Sequence, residues 1–132
     1  MPNGENASIV LVAAKEELLN NLKDALADTQ VALLHAQNHR EAIALLERLR
    51  TEIDLAIIEL ELPDSGGWEL IGSLRRHPNN PVKIIATTSR YPVSVLGKLI
   101  GLDVDAAVPE ALAPEEWRKT VEAVLGKNET TQ

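Results

Sequence analysis

Five short apolar stretches, each followed by a segment with helical spacing, constrain this chain more than any other feature. Residues 8–14, SIVLVAA, form a continuous apolar run, and the next segment sets Leu18, Leu22, Ala25 and Leu26 on one helical stripe. The pattern then repeats. QVALLHA at 30–36 precedes a helix that Asn38 can cap, with Glu41 three residues later and a stripe of Ala42, Leu45, Leu46 and Leu49. LAIIEL at 55–60 is a third strand, followed by the turn residues DSGG at 64–67 and a helix through Trp68, Leu70, Ile71 and Leu74. HPNNP at 77–81 stops that helix, VKIIAT at 82–87 is a fourth strand, and a further helix is expected from Pro92 to Ile100. DAAV at 105–108 is a fifth strand. Pro114 suits the first turn of a last helix that carries Trp117, Val121, Val124 and Leu125 inward and closes at Gly126.

Apolar runs that alternate with amphipathic helices imply an α/β fold: a doubly wound, five-stranded parallel sheet with helices on both faces and right-handed crossovers. Such a sheet places its working site at the carboxyl ends of its strands, near the point where strand order reverses. The informative positions are therefore Ala13 and Ala14 after the first strand, Glu59 after the third, Thr87 and Thr88 after the fourth, and Pro109 and Glu110 after the fifth. One domain over 8–126 is expected, with a disordered start at 1–7 and a disordered tail or linker stub at 127–132.

Composition excludes several kinds of chemistry. The net charge is -7, so direct nucleic-acid binding is not expected, because neutralising phosphates takes clustered Lys and Arg. There is no Phe and only one Tyr, so no aromatic platform for stacking bases exists. Without Cys the chain has no disulfide, thiolate nucleophile or cysteine metal site. His35, His39 and His77 share no ligand spacing, so no metal is expected through them. The first residues carry no basic or apolar signal segment and no run is long enough to span a bilayer, which leads to the expectation of a cytoplasmic protein without membrane contact. DSGG is too poor in glycine for a phosphate-cradling loop and reads as a tight turn.

The spacing of Glu59, Pro63 and Gly67, with KIIATTS at 83–89 and AVPEALAPEEW at 107–117, resembles the receiver domain of two-component response regulators across residues 8–126. That resemblance implies a flavodoxin-like fold. It places Glu59 at the phospho-acceptor position, Thr88 at the switch hydroxyl and Glu110 at the essential lysine, 22 residues after Thr88; a second register would put Ala86 at the switch position. Phosphoryl transfer to a carboxylate needs a divalent cation held by oxygen ligands and a positive charge on the phosphoryl oxygens. The family's acid pair is replaced here by Ala13 and Ala14, its aspartate by Glu59, its lysine by Glu110, the proline after that lysine by Ala111, and its aromatic switch residue by Ala107. The resemblance thus implies the fold and, through these departures, a pseudo-receiver: no enzyme and no cofactor, in phosphorelay-type signalling by protein contact. Two rival expectations are a working relay receiver with Glu59 as unorthodox acceptor, and a small flavodoxin-like nucleotide or flavin binder.

A buried Glu59 needs a cation, and Lys15, next to the alanines, is the favoured partner, with Arg90 second. The plain role of Glu59 is a salt-bridged structural residue; the sharper one is a mimic of the phosphorylated state. Thr88 is expected to satisfy a strand-end backbone group, and Glu61 and Asp64 to be solvated loop residues. Trp68 and Trp117 are expected as packing anchors, Trp117 also as an interface residue if partly exposed. The resemblance further implies a contact face built from the helix after the fourth strand, the fifth strand and the last helix, including Val93, Leu96, Lys98, Leu99, Ala107, Glu110, Leu112 and Trp117. The partner would be a signalling kinase, an output domain or a second copy in a homodimer.

Overall fold

The apolar runs pair side by side into one parallel sheet. In the computed structural model, which describes residues 7–49, 52–64, 66–76, 82–89 and 104–126, the strands are β1 (Ser8–Val12), β2 (Ala32–Ala36), β3 (Leu55–Glu59), β4 (Lys83–Thr88) and β5 (Ala106–Pro109). The helices among these residues are α1 (Glu16–Ala25), α2 (His39–Leu49), α3 (Gly67–Arg75) and α4 (Pro114–Leu125). The strand order is β2-β1-β3-β4-β5, so the chain moves outward from β1 to one edge and then to the other. The reversal lies between β1 and β3. The helix expected at 92–100 falls outside the described residues, as do Arg90, His77, Val93, Leu96, Lys98 and Leu99.

Side chains alternate across the sheet because successive Cβ atoms of a strand point to opposite faces. Leu55 and Ile57 of β3 join Ile9, Leu11 and Ile85 on one face, where α1 contributes Leu18, Leu22 and Ala25 and α4 contributes Trp117, Val121 and Val124. Ala56 and Ile58 face the other way with Val10, Val12, Ile84 and Ala86, covered by Ala42 and Leu46 of α2 and by Leu70, Ile71 and Leu74 of α3. β3 is buried on both faces, which explains why its sequence is a continuous apolar run. Each fully buried Leu or Ile contributes roughly 1.5–3 kcal/mol, so these two layers hold the fold. Among the described residues, no helix is long and apolar enough to cross a membrane.

Local chemistry sets the boundaries. Asn38 caps α2 by accepting the Glu41 N–H at 2.9 Å, and Glu41 reaches back to the Gln37 N–H at 2.8 Å, one residue earlier than the usual reciprocal bond. Asp64 is exposed in its loop as expected, and it also caps α2. Its two carboxylate oxygens accept the His39 and Arg40 N–H groups at 3.0 and 3.2 Å, and the His39 bond is the largest cause holding its carboxyl below the ordinary range. Ala7, expected in the disordered start, is buried, and its carbonyl accepts the Ala32 N–H at 2.9 Å. β4 runs through Thr88, one residue beyond the expected end, because Glu110 N–H bonds the Thr88 carbonyl at 3.0 Å.

Candidate functional site

The carboxyl ends of β1, β3, β4 and β5 meet around Glu59, whose residue is wholly buried. Gly67, the first residue of α3, makes this close packing possible: a Cβ there would lie 2.4 Å from the Glu59 carbonyl oxygen and 2.8 Å from Ile58 Cγ2. Gly66 just before it has φ of 80°, a left-handed conformation that glycine adopts without strain. The glycine pair therefore seats α3 directly on the end of β3.

Glu59 Oε1 accepts the Ala14 N–H at 3.0 Å. The carbonyl of that same peptide unit, on Ala13, is 2.8 Å from His35 Nε2, so one peptide group is held between the edge strand and the buried acid. Glu59 Oε2 has no aligned hydrogen bond; its partner is the charge on Lys15 Nζ, 3.3 Å away. Lys15 Nζ also lies 3.1 and 3.3 Å from the two oxygens of Glu110 and donates to Ser89 Oγ at 2.6 Å. A single ammonium thus joins the ends of β1, β3 and β5 to the residue after β4. Its side chain is 40% exposed. Burial works against its charge, but the bonds to Glu110 and Glu59 prevail and raise its pKa.

The remaining residues divide between pocket and core. Glu61, expected in solvent, instead accepts the Thr88 hydroxyl and the Ser89 N–H, the latter at 3.3 Å. The Thr88 hydroxyl is thus engaged by a side chain, and Thr88 is the residue at the pocket; Ala86 lies back in β4 against Ile58. Glu110 is pushed up by burial first, with Glu59 adding to the rise and Lys15 opposing it. Trp117 is wholly buried and its Nε1 donates to the Glu110 carbonyl at 3.3 Å, so it is a core residue and cannot be a surface contact. Its volume is needed between α4 and the sheet. Ala107 and Leu112 are half-buried, each leaning on one of the two core layers. Ser89, Glu61 and His35 belong to the site though motif spacing did not mark them; the one signal was Glu61 standing two residues after Glu59.

Glu59, Glu61 and Glu110 bring carboxylate oxygens within 4.8 Å of one another, the kind of donor set that can hold a divalent cation. The receiver resemblance implies such an ion, but these residues do not fit it as arranged. Glu59 and Glu110 already share the Lys15 ammonium, and Glu61 is engaged by Thr88 and Ser89. An ammonium 3.1–3.3 Å from two of the three acids stands against a second cation by like-charge repulsion.

Comparison with known proteins adds family-level findings. Residues 9–122 match the family described as the response regulator receiver domain. The fold is similar to that of a signal receiver domain from Vibrio parahaemolyticus, with a TM-score of 0.84 and 21% identity over 94% of this chain and 93% of that one. It is similar also to a response regulator from Thermotoga maritima (TM-score 0.80, 15% identity, 92% and 98% covered) and to a CheY-like receiver domain protein from Methanospirillum hungatei (0.78, 20%, 96% and 98%).

Proposed function

This chain belongs to the response regulator receiver domain family, and from that premise we propose that it is an atypical, non-enzymatic receiver module of the cytoplasm that signals by protein contact without phosphorylation of an acidic side chain. The observation that carries the proposal is Lys15. Its ammonium lies between Glu59 and Glu110, where it neutralises the acceptor position from within the chain. Two features of the sequence point the same way: Ala13 and Ala14 offer no carboxylate after β1, and Glu110 presents a negative charge where incoming phosphate needs a positive one.

The three-carboxylate cluster is the one observation that favours the rival, a relay receiver that binds a cation and accepts phosphate on Glu59. Intact-protein mass spectrometry after incubation with acetyl phosphate and Mg2+ separates the two. The expected result is an unmodified mass for the native chain and a phosphate adduct for a control carrying Ala13→Asp, Ala14→Asp, Glu59→Asp and Glu110→Lys. An adduct mapped to Glu59 in the native chain would overturn the proposal.

A further inference from the structure

β2 ends the sheet on one side. It pairs with β1, and among the described residues nothing pairs with its other edge. Ala32 N–H donates to the Ala7 carbonyl and the Ala36 carbonyl accepts from Ala13, so Ala32, Leu34 and Ala36 direct their backbone groups toward β1. In a parallel ladder the N–H and C=O of one residue point to the same side and alternate along the strand. The groups of Leu33 and His35 therefore point outward. The open stretch is bounded on both sides, since the Val31 N–H is held by Thr29 Oγ1 and the Gln37 N–H by Glu41.

Proteins blunt such an edge with lysine, other charges or proline. Residues 30–37, QVALLHAQ, contain no Lys, Arg, Asp, Glu or Pro. Ala32 is exposed, while Leu33 and Leu34 are half-buried, one against each core layer. Both layers thus end at this edge on a leucine that is only partly covered.

The edge is also self-complementary. Leu33 and His35 flank Leu34 symmetrically, so a second β2 laid antiparallel about a two-fold axis at Leu34 would set each Leu33 against a His35. Every such pair exchanges two backbone hydrogen bonds, about four across the contact. Leu34 would then face its own counterpart and Ala32 would face Ala36. The opposite edge strand, β5, is only four residues long, ends on Pro109 and is flanked by Asp105 and Glu110, so it carries the blunting features that β2 lacks. We propose that two copies of this chain associate edge to edge through β2, antiparallel about Leu34, so that their sheets become one continuous sheet. The contact is isologous and closes as a dimer; being short, it is of the weak, reversible class. It is independent of whether the acidic pocket accepts phosphate.

Sedimentation velocity over a micromolar-to-millimolar concentration series tests this, together with amide exchange followed residue by residue. The native chain is expected to dimerise as concentration rises, with the Leu33 and His35 amides gaining protection and the Leu34 amide, already bonded within the sheet, unchanged. Ala32→Lys places a charge at an exposed position, and Leu33→Pro removes an N–H that the monomer does not use; each should weaken the dimer about tenfold or more. Circular dichroism checks that both remain folded. A chain that is monomeric throughout, a dimer that survives both substitutions, or a dimer in which the Leu33 and His35 amides stay unprotected would each overturn the proposal. The amide measurement on the native chain decides the matter even if a variant fails to fold.

Discussion

Glu59, Glu61 and Glu110 draw three carboxylates together, and the Lys15 ammonium lies against two of them, Glu59 and Glu110. Burial, reinforced by Glu59, raises the Glu110 pKa, so the folded state holds that proton more tightly than the unfolded chain does. A raised carboxyl contributes stability that is complete below its unfolded value and is lost as pH rises through its folded value. In the native protein, stability should therefore decline with rising pH across a window that begins near 4.5, the ordinary value for glutamate, and extends upward. Glu110→Gln should flatten that decline, as read from urea midpoints measured across the window. A decline that is unchanged in the variant would show that another group is responsible. The link between Lys15 and Glu59 was legible because a lysine beside two alanines is the nearest cation to a strand-end acid. Its sharing with Glu110 and Ser89, and the capture of Thr88 by Glu61, depend on how loops from different strands converge, and no local pattern encodes that.

The strand-to-helix junctions among the described residues solve the problem of unsatisfied backbone groups in different ways. α2 is capped twice, by Asn38 from its own sequence and by Asp64 from the loop after β3. α3 has no side-chain cap and depends on the glycine pair. Gly67→Ala should accordingly cost about 2–3 kcal/mol or more, since the added Cβ collides with backbone that cannot yield without moving Glu59. Chemical denaturation measures that loss, and a near-neutral result would mean that α3 can shift away from β3 freely. The order of strands and helices and the two-faced burial could be read from period and apolar run length alone. The end points could not: β4 and β5 each lie one residue later than expected, set by bonds such as that between Glu110 and Thr88. The Asp64 cap was illegible for the same reason: its receiving helix lies about 25 residues earlier in the chain.

Across the whole molecule the pocket and the core are joined through Trp117, which fills the space between α4 and the sheet while its indole N–H holds the Glu110 carbonyl. Trp117→Ala should destabilise the protein globally by about 3–5 kcal/mol, seen as a cooperative loss in thermal and urea unfolding. A variant of unchanged stability would contradict its place in the core. The sequence sets Trp117, Val121 and Val124 on the inward stripe of the last helix, and the structure shows that packing role and not the surface contact that partial exposure would have allowed. The tie made by Lys15 sets this molecule apart from one whose pocket is completed by a dissolved ion. Occupancy of an ion site follows mass action: it rises with concentration, falls on dilution and can be stripped by a chelator. A counter-ion carried on a side chain of the same molecule obeys none of these. It arrives once, when the chain folds, and stays at an effective concentration that no change of medium alters.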